Sequence, residues 1–221
     1  MDITWFGRSC FRLRAGPLSI LTDPFGLPGV PATSDGTPPL GADIVTLSDR
    51  SARHLLLVRQ PYRLVEGPGE YEIQGVPITG VATTGAAPEG EAPARPRAGQ
   101  NFVYSLVLDG VSVCHLGRLA QPPTAQQVQE IGLPDVALIP LGEPRGLSVQ
   151  RAVQLASQLE SKLLVPMTLG GDEDRAALEA FCRELGTAAT VVEPRITVTP
   201  GGLPPQARVV VLAEQMPMRT E

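Results

Sequence analysis

Apolar positions in the first half of the chain come in short runs broken by glycine, proline and polar pairs. Residues 3–6, 10–13 and 18–21 are apolar or alternating, and Gly7-Arg8-Ser9 and Ala15-Gly16-Pro17 separate them. Runs of that length bounded by turn formers predict β-strands. A loop rich in proline and glycine follows at 23–41, then a buried strand at 43–47 and a short helix at 51–58. The strand pattern resumes at 70–73 and 76–81. Residues 85–100 carry almost no apolar bulk and three prolines. They predict a mobile loop rather than a domain boundary, because strand patterns stand on both sides. Residues 102–108 and 111–115 flank Asp109-Gly110, a strong signal for a two-residue type I′ hairpin.

In the second half the period changes. Thr124 and Gln127 have the spacing of a capping box that opens a short helix. Residues 136–140 read as a buried strand. Ser148 stands where it can cap a helix whose apolar positions, Val149, Ala152, Val153, Ala156 and Leu159, fall on one face. A further buried strand is expected at 163–167. A second amphipathic helix at 172–185 puts Leu178, Phe181, Cys182 and Leu185 on one side, with Gly186 as its stop. Strands at 196–198 and 209–212 finish the chain. Strands followed by strand–helix units predict an α/β fold of two sheets with helices packed outside, and a single domain over 1–221.

Composition narrows what such a fold can do. Of 221 residues 43% are hydrophobic but only 4% aromatic, so the core is sizeable and aliphatic. The net charge is −5, which argues against general nucleic-acid binding. Among 18 basic residues Lys162 is the one lysine, a bias read as genome composition. No apolar stretch reaches the roughly 18 residues that a membrane span needs. The first ten residues lack the pattern of a signal peptide. Cys10, Cys114 and Cys182 are odd in number and widely spaced, which fits reduced thiols and a cytoplasmic location.

The segments ITWFGRSCF, ILTDPF, ADIVTLS, EGPGEYEIQGV, VCHLGRL and IPLG…VPMT occur in an order that resembles the metallo-β-lactamase superfamily. The likeness is greatest to the branch containing ascorbate-6-phosphate lactonase and bacterial zinc-dependent hydrolases, and covers roughly 1–185. It implies a four-layer αββα sandwich whose active site lies on loops at one edge. It also implies two divalent metals and a metal-bound hydroxide that attacks esters, lactones or phosphodiesters. The ligand motif His-x-His-x-Asp-His falls on the segment after Ser48. There Asp49 replaces the first His, Ser51 the second and Arg53 the Asp, while His54 is kept. The next His position falls near Thr83-Thr84-Gly85. Arg118 stands for the bridging Asp, Thr168 for the last His and Arg8 for an outer His. The chain has two histidines in all, so composition alone argues against an imidazole-rich dinuclear site. A carboxylate-only site for Mg²⁺ or Ca²⁺ would have Arg53 and Arg118 inside it.

The residues also have plainer readings. His54 is most simply a packing or hydrogen-bonding residue. Cys114 and His115 are neighbours in a strand and point to opposite faces, so they are no nucleophile–base pair. Cys10 and Cys114 read as core residues. Ser48, Asp49, Ser51 and His54 contain the types of a hydrolytic triad but lack the glycines of a nucleophile elbow. The GPGEY segment reads as a tight turn, with Glu70 and Glu72 facing solvent. The leading expectation is a protein without metal or other cofactor and without catalytic residues. Its cleft of Arg8, Asp49, Ser51, Arg53, His54, Arg118 and Thr168 would accept a small anionic ligand. Arg53 and Arg118 would take over the role of the metals, and at least one would contact Asp49. The rival is a hydrolase with a changed or metal-free site. A third reading leaves the cleft idle and uses the exterior for assembly. The resemblance leaves a homo-oligomer open, and no sequence feature decides it.

Overall fold

Short runs of alternating residues can bury both faces of a strand only if something covers each face, and two stacked sheets provide the first cover. In the computed structural model, which describes residues 1–25, 40–85, 99–142, 146–167, 172–187 and 192–215, the first half builds seven strands. These are β1 (Asp2–Trp5), β2 (Phe11–Ala15), β3 (Leu18–Thr22), β4 (Leu40–Gly41), β5 (Ile44–Thr46), β6 (Val58–Arg59) and β7 (Arg63–Val65). Next come β8 (Gly69–Ile73), β9 (Val76–Gly85), β10 (Gly99–Leu108) and β11 (Val111–His115). The strand–helix part follows with α1 (Ala125–Ile131), β12 (Val136–Pro140), α2 (Val149–Leu159), β13 (Leu163–Met167) and α3 (Asp172–Glu184). The last strands are β14 (Ile196–Thr197) and β15 (Arg208–Val209).

One sheet has the order β14-β1-β2-β3-β5-β7 and the other β15-β13-β12-β11-β10-β9-β8, with β4-β6 as a small separate pair. Ile3, Leu13, Ile20 and Ile44 of the first sheet belong to the same core as Ile78, Phe102, Val113, Leu138 and Val165 of the second. On the far side of the second sheet, Val103, Cys114, Ala137, Ile139 and Leu164 pack with Leu155 and Leu159 of α2 and Phe181 of α3. Fully burying one such leucine stabilises by about 1.5–3 kcal/mol. The far side of the first sheet is covered differently. Cys10, Leu21 and Val45 pack with Leu40 and Val58 of the small pair, and no described α-helix lies there. The layers are those expected of an αββα sandwich, with this side thinned to short pieces.

Local signals match their elements. Asp109 and Gly110 have φ of 54° and 74°, the positive values of a type I′ turn. Thr124 and Gln127 form both bonds of the capping box. Gly186, at φ 65°, ends the last helix. Ser148 occupies the N-cap position of α2 but makes no side-chain capping bond. The structure also lengthens two strands. β9 and β10 pair from Ile78↔Leu106 out to Gly85↔Gly99, so Gly85, Gly99 and Gln100 are strand and not loop. The rest of the expected mobile loop, 86–98, lies outside the described residues. Among the described residues no helix is long and apolar enough to cross a membrane.

Candidate functional site

The residues that follow β3, β5, β7 and β11 meet at one end of the sandwich, through Asp23 with Ser48, Arg50 with Glu66 and Gly117 beside Ser48. β3 runs into Asp23, which is buried at φ 41°. Its Oδ1 accepts the backbone N–H of Ser48 at 2.7 Å, and its Oδ2 accepts the Ser48 hydroxyl. Ser48 is itself fully buried. Its carbonyl accepts the N–H of Phe102 in β10 at 2.8 Å, which ties the end of β5 to the opposite sheet. Tyr104 adds a second tie, donating its hydroxyl to Leu47 O at 2.9 Å. Burial pushes the Tyr104 phenol well above its ordinary pKa.

One residue later the chain emerges. Asp49 is the N-cap of a 3₁₀-helix over Arg50–Leu55, where the sequence predicts a helix over 51–58. Its Oδ1 accepts Ser51 N at 2.9 Å and Ser51 Oγ at 2.6 Å. Its Oδ2 lies 3.5 Å from Arg118 Nη1, and the two side chains are 17% and 15% exposed. The sequence-predicted residues Asp49, Ser51 and Arg118 thus come together.

Arg53 does not, which corrects the expectation that it sits in the cleft. It is 63% exposed and donates to Glu66 Oε1 at 2.7 Å. The cause is the 3₁₀ period, which puts residues three apart on one side. Arg50 and Arg53 both reach Glu66, the first through Nε to the backbone carbonyl at 2.9 Å. The same period brings Ser51 and His54 together. His54 is exposed, and its Nδ1 lies 2.9 Å from Ser51 O. With Arg53 neutralised by Glu66, Arg118 and Asp49 sum to +1 − 1 = 0, not the +1 expected from two arginines facing one aspartate. Arg8 sits half-buried on its turn at φ 50°, and its carbonyl accepts Trp5 Nε1 at 2.8 Å. Thr168 lies outside the described residues. The triad reading fails on geometry, since Ser48 is buried against a carboxylate and Ser51 donates to Asp49.

Sequence reasoning passed over Asp23, Asn101 and Gly117. Asp23 lies in the ILTDPF segment and Gly117 in VCHLGRL. Asn101 carries no signal beyond its place next to the apolar run at 102–108, since asparagine is mostly an exposed residue. His115 also belongs to this end of the interior. It is fully buried, its Nε2–H donates to Ser9 O at 2.9 Å, and its Nδ1 has no partner among the described residues. Burial holds its pKa below 6.5, against the pull of Asp23 and of the Ser9 bond. The unfolded chain therefore binds the proton first. Stability from this group is fully present above pH 6.5 and is lost as pH falls through the lowered folded-state value. We expect urea midpoints to drop between pH 7 and pH 5 in the wild type, and less in His115→Leu. Ser9 O keeps its bond from Thr22 Oγ1 at 2.8 Å in that variant.

The family model for the β-lactamase superfamily domain matches residues 2–168. The chain belongs to the metallo-β-lactamase superfamily. A solved Thermotoga maritima structure, assigned to the Zn-dependent hydrolases of this superfamily, is 31% identical with a TM-score of 0.73. That match covers 96% of this chain and 97% of the other. A protein of Methanoculleus marisnigri named UPF0173 metal-dependent hydrolase is 29% identical over 187 residues, 76% of this chain and 80% of the relative. An isothiocyanate hydrolase from Delia radicum gut bacteria shares the fold at 13% identity and a TM-score of 0.63, covering 97% of both chains.

The superfamily implies metal at this end, and the described residues do not fit one. Of the carboxylates described at this end, Asp23 is held by Ser48 and Glu66 by Arg53, and the oxygens of Asp49 already take Ser51 and Arg118. A guanidinium at that distance competes with a dication for the same oxygen. His54 stands apart and exposed. Among the described residues no group of three or more His, Cys, Asp or Glu side chains could hold a metal ion.

Proposed function

We propose that this chain uses the hydrolase-like metallo-β-lactamase fold as a metal-independent binding protein, with a small anion as the ligand of the cleft at Arg118. The observation that carries this reading is the Arg118 guanidinium 3.5 Å from Asp49 Oδ2, at the position where superfamily resemblance would place a carboxylate bridging two metals. Arginine offers donors in a planar fork suited to phosphate or carboxylate, and its half-buried position here strengthens such a bond. Titration with inorganic phosphate, followed by the Arg118 side-chain signals in NMR, tests it. We expect saturable binding that is at least about ten-fold weaker in Arg118→Gln, the loss of a single charged hydrogen bond being about 1.5–3 kcal/mol. Equal binding by both forms refutes the site.

Metal dependence is read separately. A structural metal held at 1,000 times its Kd would add about 4 kcal/mol. Its removal would lower Tm by about 8–16 °C in a chain of this size. We expect a chelator, or added zinc, to move Tm by less than about 1 °C, within which no linked metal fits. Stoichiometric metal by elemental analysis would overturn the reading.

The relatives named metal-dependent hydrolases favour a second reading, a hydrolase of lactones, esters or phosphodiesters working through a changed site. A chelator-insensitive hydrolytic rate that is lost in Asp49→Asn would establish it over the first.

A further inference from the structure

The Asp49–Arg118 pair is made by two loops from different sheets, and each loop is registered against one of two neighbouring residues of β10. On one side, the carbonyl of Ser48, the residue before Asp49, accepts Phe102 N–H at 2.8 Å. On the other side stands Asn101, which is fully buried. Its Oδ1 accepts the backbone N–H of Arg118 at 2.8 Å, and its Nδ2 donates to Leu116 O at 3.1 Å. One amide therefore brackets Gly117 from both sides. The second Nδ2 hydrogen goes to Thr83 Oγ1 at 2.9 Å, and the Thr83 hydroxyl donates back to Asn101 O at 3.2 Å. The orientation of the amide is unambiguous, because Leu116 O can only accept and Arg118 N–H can only donate.

Gly117 makes this hold tight. It has φ 61°, and a Cβ there would run into Ser48 and into Asn101 Oδ1 itself. The bend before Arg118 is thus pressed directly onto the residue before Asp49. Nothing about core formation asks for a polar side chain at position 101. An apolar residue would leave the Leu116 carbonyl and the Arg118 N–H without these partners. What the asparagine does that an apolar residue cannot is hold the Leu116–Arg118 bend at one height on β10.

We infer that Asn101 is the positioning residue of the cleft: it fixes Arg118 in register with Asp49 by holding the Gly117 bend. This deepens the proposed function, since it rests on the reading that Arg118 is the working cation of the site. The Asn101 side chain bonds Thr83, Leu116 O and the backbone N–H of Arg118, so its effect is felt through where Arg118 stands.

A coupling measurement tests this without relying on anion binding. Asp49→Asn, Arg118→Met and the double variant are made in the wild-type chain and again in Asn101→Ser, and each is unfolded in urea. In the wild-type background the two residues should be coupled by about two- to five-fold in the unfolding constant, the range of a partly exposed ion pair. In Asn101→Ser the coupling should fall to within error of none. A simple stability role for Asn101 would raise all four unfolding constants together and leave their coupling intact, and that outcome overturns the inference. A measurement on the unaltered chain guards against a variant that does not fold. The Arg118 amide proton should exchange at least about a hundred-fold more slowly than an exposed amide, because it is bonded to a buried acceptor. Exchange at the free rate overturns the inference as well. If coupling collapses in Asn101→Ser while the wild type binds no phosphate, the positioning role stands and the anion reading falls. If phosphate binds but coupling is unchanged, the reverse holds.

Discussion

Asp23→Ala is expected to lower stability by about 3–5 kcal/mol, the largest loss of any single substitution proposed here. The carboxylate is buried and accepts two donors, the N–H and the hydroxyl of Ser48. Removing it leaves both donors buried without their acceptor, at about 1–3 kcal/mol each. Alanine is also less at ease than aspartate at φ 41°. Thermal unfolding should show a Tm lower by about 6–20 °C at neutral pH. Asp23→Asn is the control. Its Oδ1 can still accept Ser48 N–H and asparagine tolerates the left-handed region, so it should lose well under half as much. Equal losses for the two variants would mean that the charge, and not the acceptor geometry, holds the end of β5. The site would move with it, because Ser48 precedes Asp49. Any phosphate affinity measured in the wild type should therefore be lost in Asp23→Ala even at temperatures where the variant remains folded.

Gly117→Ala should be nearly as damaging, at about 2–5 kcal/mol. Two effects add. A left-handed conformation costs an L-residue about 1–2 kcal/mol. Overpacking a tight site costs about 1–3 kcal/mol more. The neighbours that a Cβ would strike are Ser48 and Asn101, and both are held by hydrogen bonds. Neither can yield cheaply. Gly186→Ala separates the two effects, since Gly186 has φ 65° but nothing within 4 Å of a Cβ. It should lose only the conformational part. If Gly117→Ala and Gly186→Ala lose the same amount by urea unfolding, Ser48 and Asn101 are softer than the geometry indicates.

Some elements could be read from neighbouring residues alone. Asp109-Gly110 forms its turn because both residues tolerate positive φ. Thr124 and Gln127 cap their helix because the bonding groups lie three residues apart. The stop at Gly186 is equally local. The strands β4, β6 and β7 escaped notice because two or three residues carry no period. Their existence depends on partners such as Val58 opposite Leu40 and Val45 opposite Leu64. Arg53 was assigned to the cleft by its place in a motif, and the 3₁₀ turn swung it to Glu66.

The sequence by itself determined the family, the order of the helices and of all but the shortest strands, and that Asp49, Ser51, Arg53, Arg118 and Thr168 stand where the resemblance implies metal ligands. These follow from residue identity, period and turn chemistry, which act over a few positions. Tertiary structure alone decided which of those residues meet. Asp23, Ser48, Asn101 and Arg118 lie up to 95 positions apart, since 118 − 23 = 95, and they are joined only where two sheets stack. A hydrogen bond requires its partners within about 3 Å. Shifting one strand against the next by a single residue moves a side chain by about 3.3 Å and turns it to the other face. The Asp109-Gly110 turn sets β10 against β11, but local pattern does not set the register of β10 against the end of β5. The packing of the two sheets does, and with it the contact between Arg118 and Asp49.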